Sequence, residues 1–514
     1  MLRIGVDVGG TNTDAVIMQG DKLLGGIKSP TTPDVISGVK NAIVGALSET
    51  NQIAKDIDAI MIGTTHFINA LVERKRLAKT ALIRLCLPSG PAILPFSDWP
   101  TDLVEAISGS YRLVNGGYEM DGKEISPMDD EQILNAVDEL IKQGAEQIAI
   151  SSVFATVRGD METAARDLIL KNHPDISLSI SSDIGKLGLL ERENAAIINA
   201  SLKPLAAEVI EAFGQLKAAL GFDCPLYFTR NDGTLIEASE VLRLPVLTFA
   251  CGPTNSMRGA AFLSGLDHAL VADIGGTTTD VGEIIDGFPR LAGTSVTVAD
   301  VRTNFSMPAV ESIGLGGGSL IDVKSMSIGP KSVGHRILQE AVVFGGDTIT
   351  ASDLAVASGR AIMGDKPAPE FENQDQLIKL MDQIVGDAVA RSRTSDKQLP
   401  VIVVGGGSVL MGDTIDGLKV VRPKNHSLAN AVGAAIAQVS GEVGRVVSLA
   451  DNLSREEAIE QVTNEAKILA ISRGAIEESL KTLAVSDMPL SYIPGNNLAI
   501  NVTVVGDLNL EAHK

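Results

Sequence analysis

The residues best suited to chemistry occur twice. Val6-Asp7-Val8-Gly9-Gly10-Thr11-Asn12-Thr13-Asp14 returns as Ala272-Asp273-Ile274-Gly275-Gly276-Thr277-Thr278-Thr279-Asp280, each copy following an apolar run and followed by another. Paired glycines let backbone N–H groups approach an anion with no Cβ in the way. The side chains of Thr11, Asn12, Thr13, Thr277 and Thr278 add hydroxyl and amide donors. The Asp that ends the strand repels phosphate, but it suits hydrated Mg²⁺, which keeps several waters and takes one or two carboxylates. Two such turns facing each other across a cleft would clamp a triphosphate from both sides. Ordinary glycine-rich hairpins are the plain alternative, and the length of the repeat weighs against them.

Two further glycine clusters follow. Gly405, Gly406 and Gly407 end the run Val401-Ile402-Val403-Val404, a buried strand that would let a flat base and ribose come close. Gly316 and Gly317, within Gly314-Leu315-Gly316-Gly317-Gly318-Ser319, could line a nucleotide or merely shape a loop. None of these is a Walker loop or a Rossmann fingerprint. Thr64, Thr65 and His66 end an apolar run near the first turn, where open α/β sheets gather substrate contacts; a packed loop histidine is an equal reading of His66. The remaining histidines are scattered and read as surface or core residues, and Arg192-Glu193 reads as a solvated helix turn. Cys86, Cys224 and Cys251 are odd in number and far apart, which favours buried thiols over disulfides or a zinc cluster.

The elements that would hold these residues alternate in type. Apolar runs at 2–8, 15–18, 22–27, 57–63, 80–87, 147–152 and 176–181 read as strands, and 33–47, 133–141, 192–220 and 429–439 as helices. Lys203-Pro204 reads as a kink, and residues 87–127, with prolines 88, 91, 95 and 100, as an irregular excursion. Beyond about 446 the pattern reads as two helices and a short strand pair at 490–493 and 498–505. Hydrophobic residues make up 45% and aromatics 3% of the chain, with 51 glycines, a balance that suits parallel strands covered on both faces. At 514 residues, two or three domains are expected. The 43 basic and 64 acidic residues leave a net charge of −21, which disfavours nucleic acid and anionic membranes as partners. No apolar run approaches a membrane span, and a strand begins almost at once, so a cytoplasmic protein is expected.

The three glycine-bearing segments at 6–14, 272–280 and 401–407 resemble the two phosphate signatures and the adenosine signature of the actin-like ATPase superfamily, in that order. The wording is similar to that of the hydantoinase/oxoprolinase family. Asp7 to Asp14, Gly63-Thr64-Thr65 with Asn69 to Arg74, and Ser181 to Gly185 with Glu191-Arg192 resemble its N-terminal domain. Asn231-Asp232-Gly233, Cys251-Gly252-Pro253, the second turn and Gly316 to Ser319 resemble its hydantoinase A domain. Asn12, His66-Phe67, Cys251 to Ser256 and Ser152 to Arg158 depart from the family's wording, which touches the substrate more than the nucleotide.

The resemblance implies an α/β fold of two actin-like, ribonuclease H-like domains around a nucleotide cleft, at 1–195 and 196–445, with a small α+β appendage at 446–514. It implies ATP and Mg²⁺, with Asp7 and Asp273 on the metal, Asp14 and Asp280 bracing the turns, and His66 near the reacting group. The implied activity is phosphorylation of a cyclic amide (a hydantoin, oxoproline or lactam) so that its ring can be hydrolysed, with the hydrolytic half on a partner subunit. Homo-oligomerisation is left open. Rival readings are a small-molecule kinase of the same fold and an ATPase that remodels a partner.

Overall fold

The computed structural model describes residues 1–10, 12–30, 35–293, 295–449, 453–491 and 496–510. The chain opens with three antiparallel strands, β1 (Leu2–Val8), β2 (Asn12–Gln19) and β3 (Lys22–Pro30), followed by α1 (Val35–Thr50), β4 (Ala59–Thr64) and α2 (His66–Val72). The central stretches of β1 and β2 and all of β4 are buried, because helices cover both faces of the sheet. β4 lies parallel to β1.

Residues 80–180 form a separate four-stranded parallel sheet from β5 (Thr80–Leu87), β6 (Ser110–Asn115), β7 (Gln147–Ser152) and β8 (Ser177–Ile180), in the order β6-β5-β7-β8. Helices α3 (Thr101–Ala106), α4 (Asp130–Lys142) and α5 (Asp160–Asn172) connect its strands. The expected irregular excursion at 87–127 therefore contains both a helix and a strand of this sheet. Prolines 88, 91, 95 and 100 hid the signal at its start, and the strand at 110–115 that follows is short and only half-buried.

The long helix α6 (Leu189–Ala219) carries Pro204 inside it without ending, and leads to β9 (Leu226–Thr229) and β10 (Thr234–Glu237). Then come α7 (Cys251–Ser264) and a second antiparallel opening, β11 (Ala269–Ile274), β12 (Thr279–Ile285) and β13 (Phe288–Pro289). After α8 (Gln374–Ser392), β14 (Val401–Val404) and β15 (Leu418–Val421) add parallel strands beside β11.

The two openings share one topology. The first sheet runs β3-β2-β1-β4-β9 and the second β13-β12-β11-β14-β15, so in each the third, second and first strands are followed by two parallel ones. This repeat of architecture is what the repeat of sequence predicted.

The C-terminal part extends the first sheet. Helix α9 (Ala429–Ala435) ends before β16 (Gln438–Ser448), so the expected helix at 429–439 gives way to a strand. Among the described residues one α-helix, α10 (Arg455–Ser472), follows where two were expected, and then β17 (Lys481–Leu490) and β18 (Asn497–Gly506). These strands complete a nine-stranded sheet, β17-β18-β16-β10-β9-β4-β1-β2-β3. Small residues on α10, Ala458, Ala466 and Ala470, bury against it. Sheet membership thus crosses the motif boundaries at 195/196 and 445/446. Among the described residues, no helix is long and apolar enough to cross a membrane.

Candidate functional site

Each repeated turn closes on itself in the same way. Gly9 N donates to Asn12 O at 3.0 Å, and Gly275 N donates to Thr278 O at 2.9 Å. The strand register then sets Asp7 opposite Asp14 and Asp273 opposite Asp280. All four carboxyl groups are pushed up by burial. For Asp7, with Asp14 and Asp273 adding repulsion, the pKa is raised to about 7; for Asp280 it is raised to about 6. Lys28 Nζ meets Asp14 Oδ2 at 2.6 Å, and Ser312 donates to Asp280. Asp7, Asp14 and Asp273 therefore lie within electrostatic reach of each other although nearly 270 residues separate the two turns.

Two helices make this convergence possible. Asn255 on α7 donates to Asp7 Oδ1 at 3.4 Å and to Thr229 Oγ1 at 3.0 Å, and Asn430 on α9 donates to Asp273 Oδ2 at 3.4 Å. The helices cross almost in backbone contact. A Cβ on Gly259 would fall 1.8 Å from Ala429 O, and one on Gly433 would fall 1.8 Å from Asn255 O. On its other side α9 presses on β1, where a Cβ at Gly5 would fall 2.1 Å from Ala431 O. Each half thus offers an aspartate to an asparagine of a central helix pair. Sequence reading missed both asparagines. Asn255 sits in the Cys251 to Ser256 segment noted as a family departure, and Asn430 sits in a run read only as apolar helix.

Thr64 ends β4 beside β1, Thr65 caps α2 and His66 opens it, with Gly63 opposite Asp7 and Thr64 opposite Val8. Thr64 Oγ1 and His66 Nδ1 are 2.7 Å apart, and burial with the nearby Arg76 charge lowers the histidine pKa. The start of α7 docks here: Thr64 N donates to Cys251 Sγ and that thiol donates to Thr64 O, both at 3.1 Å. Burial pushes the Cys251 thiol up to about 12, which makes it a structural group. All three cysteines are free and buried.

The glycine clusters have different roles. Gly405 has φ +83°, and a Cβ there would fall 2.3 Å from Asp273 Oδ1; Gly407 N donates to Ile274 O at 2.7 Å. Among the described residues, a Cβ on Gly406 or on Gly10 would meet nothing within 4 Å, so both positions border open space. His426 joins this cluster unforeseen, with its carbonyl accepting from Gly405 N and its Nδ1 3.0 Å from Ser408 Oγ. Gly317 N and Gly318 N donate to Gly275 O and Gly276 O, and a Cβ on Gly316 would fall 2.6 Å from Thr277 N. That cluster shapes the second turn from behind. Thr11 lies outside the described residues. Among those described, no group of three or more His, Cys, Asp or Glu is placed to hold a metal ion.

One reading of the sequence is corrected. Arg192 and Glu193 are 1% and 0% exposed, far from a solvated turn. Glu193 accepts from Arg84 Nε and Nη2 at 2.7 and 2.6 Å, and Arg192 donates to Ser152 O at 2.7 Å and Ser181 Oγ at 2.9 Å. They bolt α6 to the four-stranded sheet, whose strands at 80–87, 147–152 and 176–181 were read one by one and not as a sheet packed on this helix, so their burial had no partner to explain it.

Two five-strand units of one topology, each with a carboxylate-bearing glycine turn aimed at a shared helix pair, define an actin-like α/β protein. The chain belongs to the hydantoinase/oxoprolinase family: residues 3–173 match its N-terminal region and 192–370 its hydantoinase/oxoprolinase region. It is 26% identical over 484 residues to caprolactamase subunit alpha of Pseudomonas jessenii, covering 87% of this chain and 68% of that one. It is 25% identical over 397 residues to the acetophenone carboxylase gamma subunit of Aromatoleum aromaticum, covering 69% of this chain and 53% of the relative. The chain therefore spans about two thirds of the first relative and about half of the second. The solved ATP-dependent caprolactamase from Pseudomonas jessenii superposes with a TM-score of 0.78 at 19% identity, over 99% of this chain and 88% of that one, a likeness of fold.

Proposed function

We propose that this chain binds Mg²⁺-ATP between its two glycine turns and phosphorylates the oxygen of a cyclic amide, so that a partner subunit can complete ring opening. The observation that carries the reading is the convergence of Asp7 and Asp273, from two topologically equal hairpins, within electrostatic reach of each other. Their donor chemistry fits a hydrated Mg²⁺, because buried carboxylates that repel one another gain from a shared cation held through water. Bound there, the metal would offset charge on the phosphates. Gly10 and Gly406 border the open space such a nucleotide needs. Asn255 and Asn430 hold the two carboxylates in place, and the Thr64–His66 pair lies at the first turn to meet the acceptor.

A neutral amide is a poor electrophile. In the proposed reaction its oxygen attacks the γ-phosphorus, the bond to ADP breaks, and the amide carbon becomes open to water. Water adds there, the C–N bond breaks to open the ring as an acyl phosphate, and a second water releases phosphate. Positioning and charge neutralisation are what the protein contributes. The caprolactamase relative, named as one subunit, supports both the amide and the partner. The carboxylase relative supports a second reading, in which the phosphorylated oxygen belongs to a ketone.

A panel of cyclic amides and ketones, assayed with the chain and its candidate partner, tests this. About one ADP per ring opened is expected, and ¹⁸O in the amide carbonyl should leave in the phosphate. ADP formed only with a ketone would select the second reading. ADP formed with neither would reject both.

A further inference from the structure

We propose that a pocket between the distal half of α7 and β17 binds an amino acid as its zwitterion, carboxylate toward Arg258 and ammonium toward Asp267. The pocket is a cavity of about 580 Å³ whose lining includes no residue of the two glycine turns; Arg258, Phe262, Asp267, Asp286, Phe288 and Lys481 are among those that line it. Arg258 is buried, yet its guanidinium is satisfied only by neutral groups. Nη1 donates to Gly287 O at 3.0 Å, Nη2 to Gln438 Oε1 at 3.3 Å, and the group lies 3.6 Å from the centre of the Phe288 ring. Its Nε is buried with no hydrogen-bond partner among the described residues. Among the described residues, no carboxylate comes within ion-pair distance of it. Burial accordingly lowers its pKa to about 10, with Asp232 and Asp507 opposing from further away.

A buried guanidinium without a carboxylate partner is costly, and an anionic ligand relieves that cost. A plain anion would meet repulsion at the mouth, where Asp267 and Asp286 are exposed and, among the described residues, only Asp286 has an ion-pair partner, His268 at 3.2 Å. The two signs face each other closely. A methyl group added at Gly287 would lie 3.5 Å from Asp267 Oδ1 and 4.0 Å from Arg258 Nη1. A molecule carrying both charges satisfies both sides, while Phe262 and Phe288 offer apolar walls to its carbon chain. Lys481, exposed on the edge strand β17, adds a second cation for the carboxylate. Ring opening of a cyclic amide yields a molecule of this class, so under the proposed function the pocket would read the product. The pocket's own charges do not depend on that reading.

Calorimetric titration of the full chain with four six-carbon probes tests the site: norleucine, 6-aminohexanoate, hexanoate and hexylamine. At least one amino acid should bind ten-fold or more tightly than hexanoate and hexylamine, the better of the two reporting the charge spacing. Asp267→Asn should weaken the amino acid at least ten-fold and tighten hexanoate, which loses a repelling charge, while Lys481→Ala should weaken both. Both positions are exposed, so the variants should keep the wild-type melting temperature and ATP turnover. The proposal is overturned if neither amino acid binds at about 10 mM, if hexanoate binds as well as they do, or if Asp267→Asn leaves amino-acid affinity unchanged. Binding without any ATP turnover on cyclic amides would reject the proposed function and keep the pocket; turnover without binding would do the reverse.

Discussion

Asp7 is kept where a carboxylate is uncomfortable. Its folded-state pKa is raised to about 7, so without ligands the folded chain holds a proton that the unfolded chain releases near pH 4. The native state then binds more protons across that interval, and stability falls as pH rises from about 4 to about 7. Asp7→Asn should remove this fall. The variant's melting temperature, taken without nucleotide or metal, should exceed the wild type's by more at about pH 7.5 than at about pH 5, while Mg²⁺-ATP affinity drops. An unchanged pH profile would mean that Asp7 is not strained by its neighbours. The glycines of the base cluster divide similarly. Gly405→Ala should lose soluble protein, because its Cβ would strike the Asp273 carboxylate at a left-handed φ. Gly406→Leu should fold normally and lower nucleotide affinity, because open space surrounds it. At this scale the sequence was informative where a motif carried the residue: the two aspartates, the glycine pairs and Thr64 to His66 could all be named. Asn255 and Asn430 could not, since a lone asparagine in an apolar helix looks the same whether it faces a carboxylate or solvent.

Among the elements, the connections decide more than the strands do. α7 and α9 are short helices rich in Ala and Gly, and their closeness brings one asparagine to each half. Gly433→Val should cost well over 1 kcal/mol or abolish folding, because overpacking against backbone has no rotamer escape. The Arg84–Glu193 pair makes a second test of how elements are joined. Arg84→Met leaves Glu193 buried and uncompensated and should cost about 3–5 kcal/mol in chemical denaturation. Adding Glu193→Gln should recover much of that loss. If the single variant were as stable as wild type, α6 would not be fastened to the four-stranded sheet through this pair. The strand runs at 2–8, 80–87 and 147–152 were legible because they are continuous and apolar. The strand at 110–115 and the long edge strand β17 were not. Their half-exposed, mixed residues carry neither a clean alternation nor a buried run, and pairing with neighbours distant in sequence makes them strands.

For the whole molecule, the internal repeat was the strongest signal in the sequence, and it gave the paired topology directly. What it could not give was the return of the C-terminal strands to the first sheet, because a pairing between 234–235 and 438–439 leaves no trace in either segment. The central claim is that the two turns hold one nucleotide jointly, and titration of Mg²⁺-ATP into the isolated chain tests it most directly. One site per chain is predicted, with Asp7→Asn and Asp273→Asn each weakening it at least ten-fold although they belong to different halves. No heat at millimolar nucleotide, or a loss confined to one of the two variants, would contradict the account.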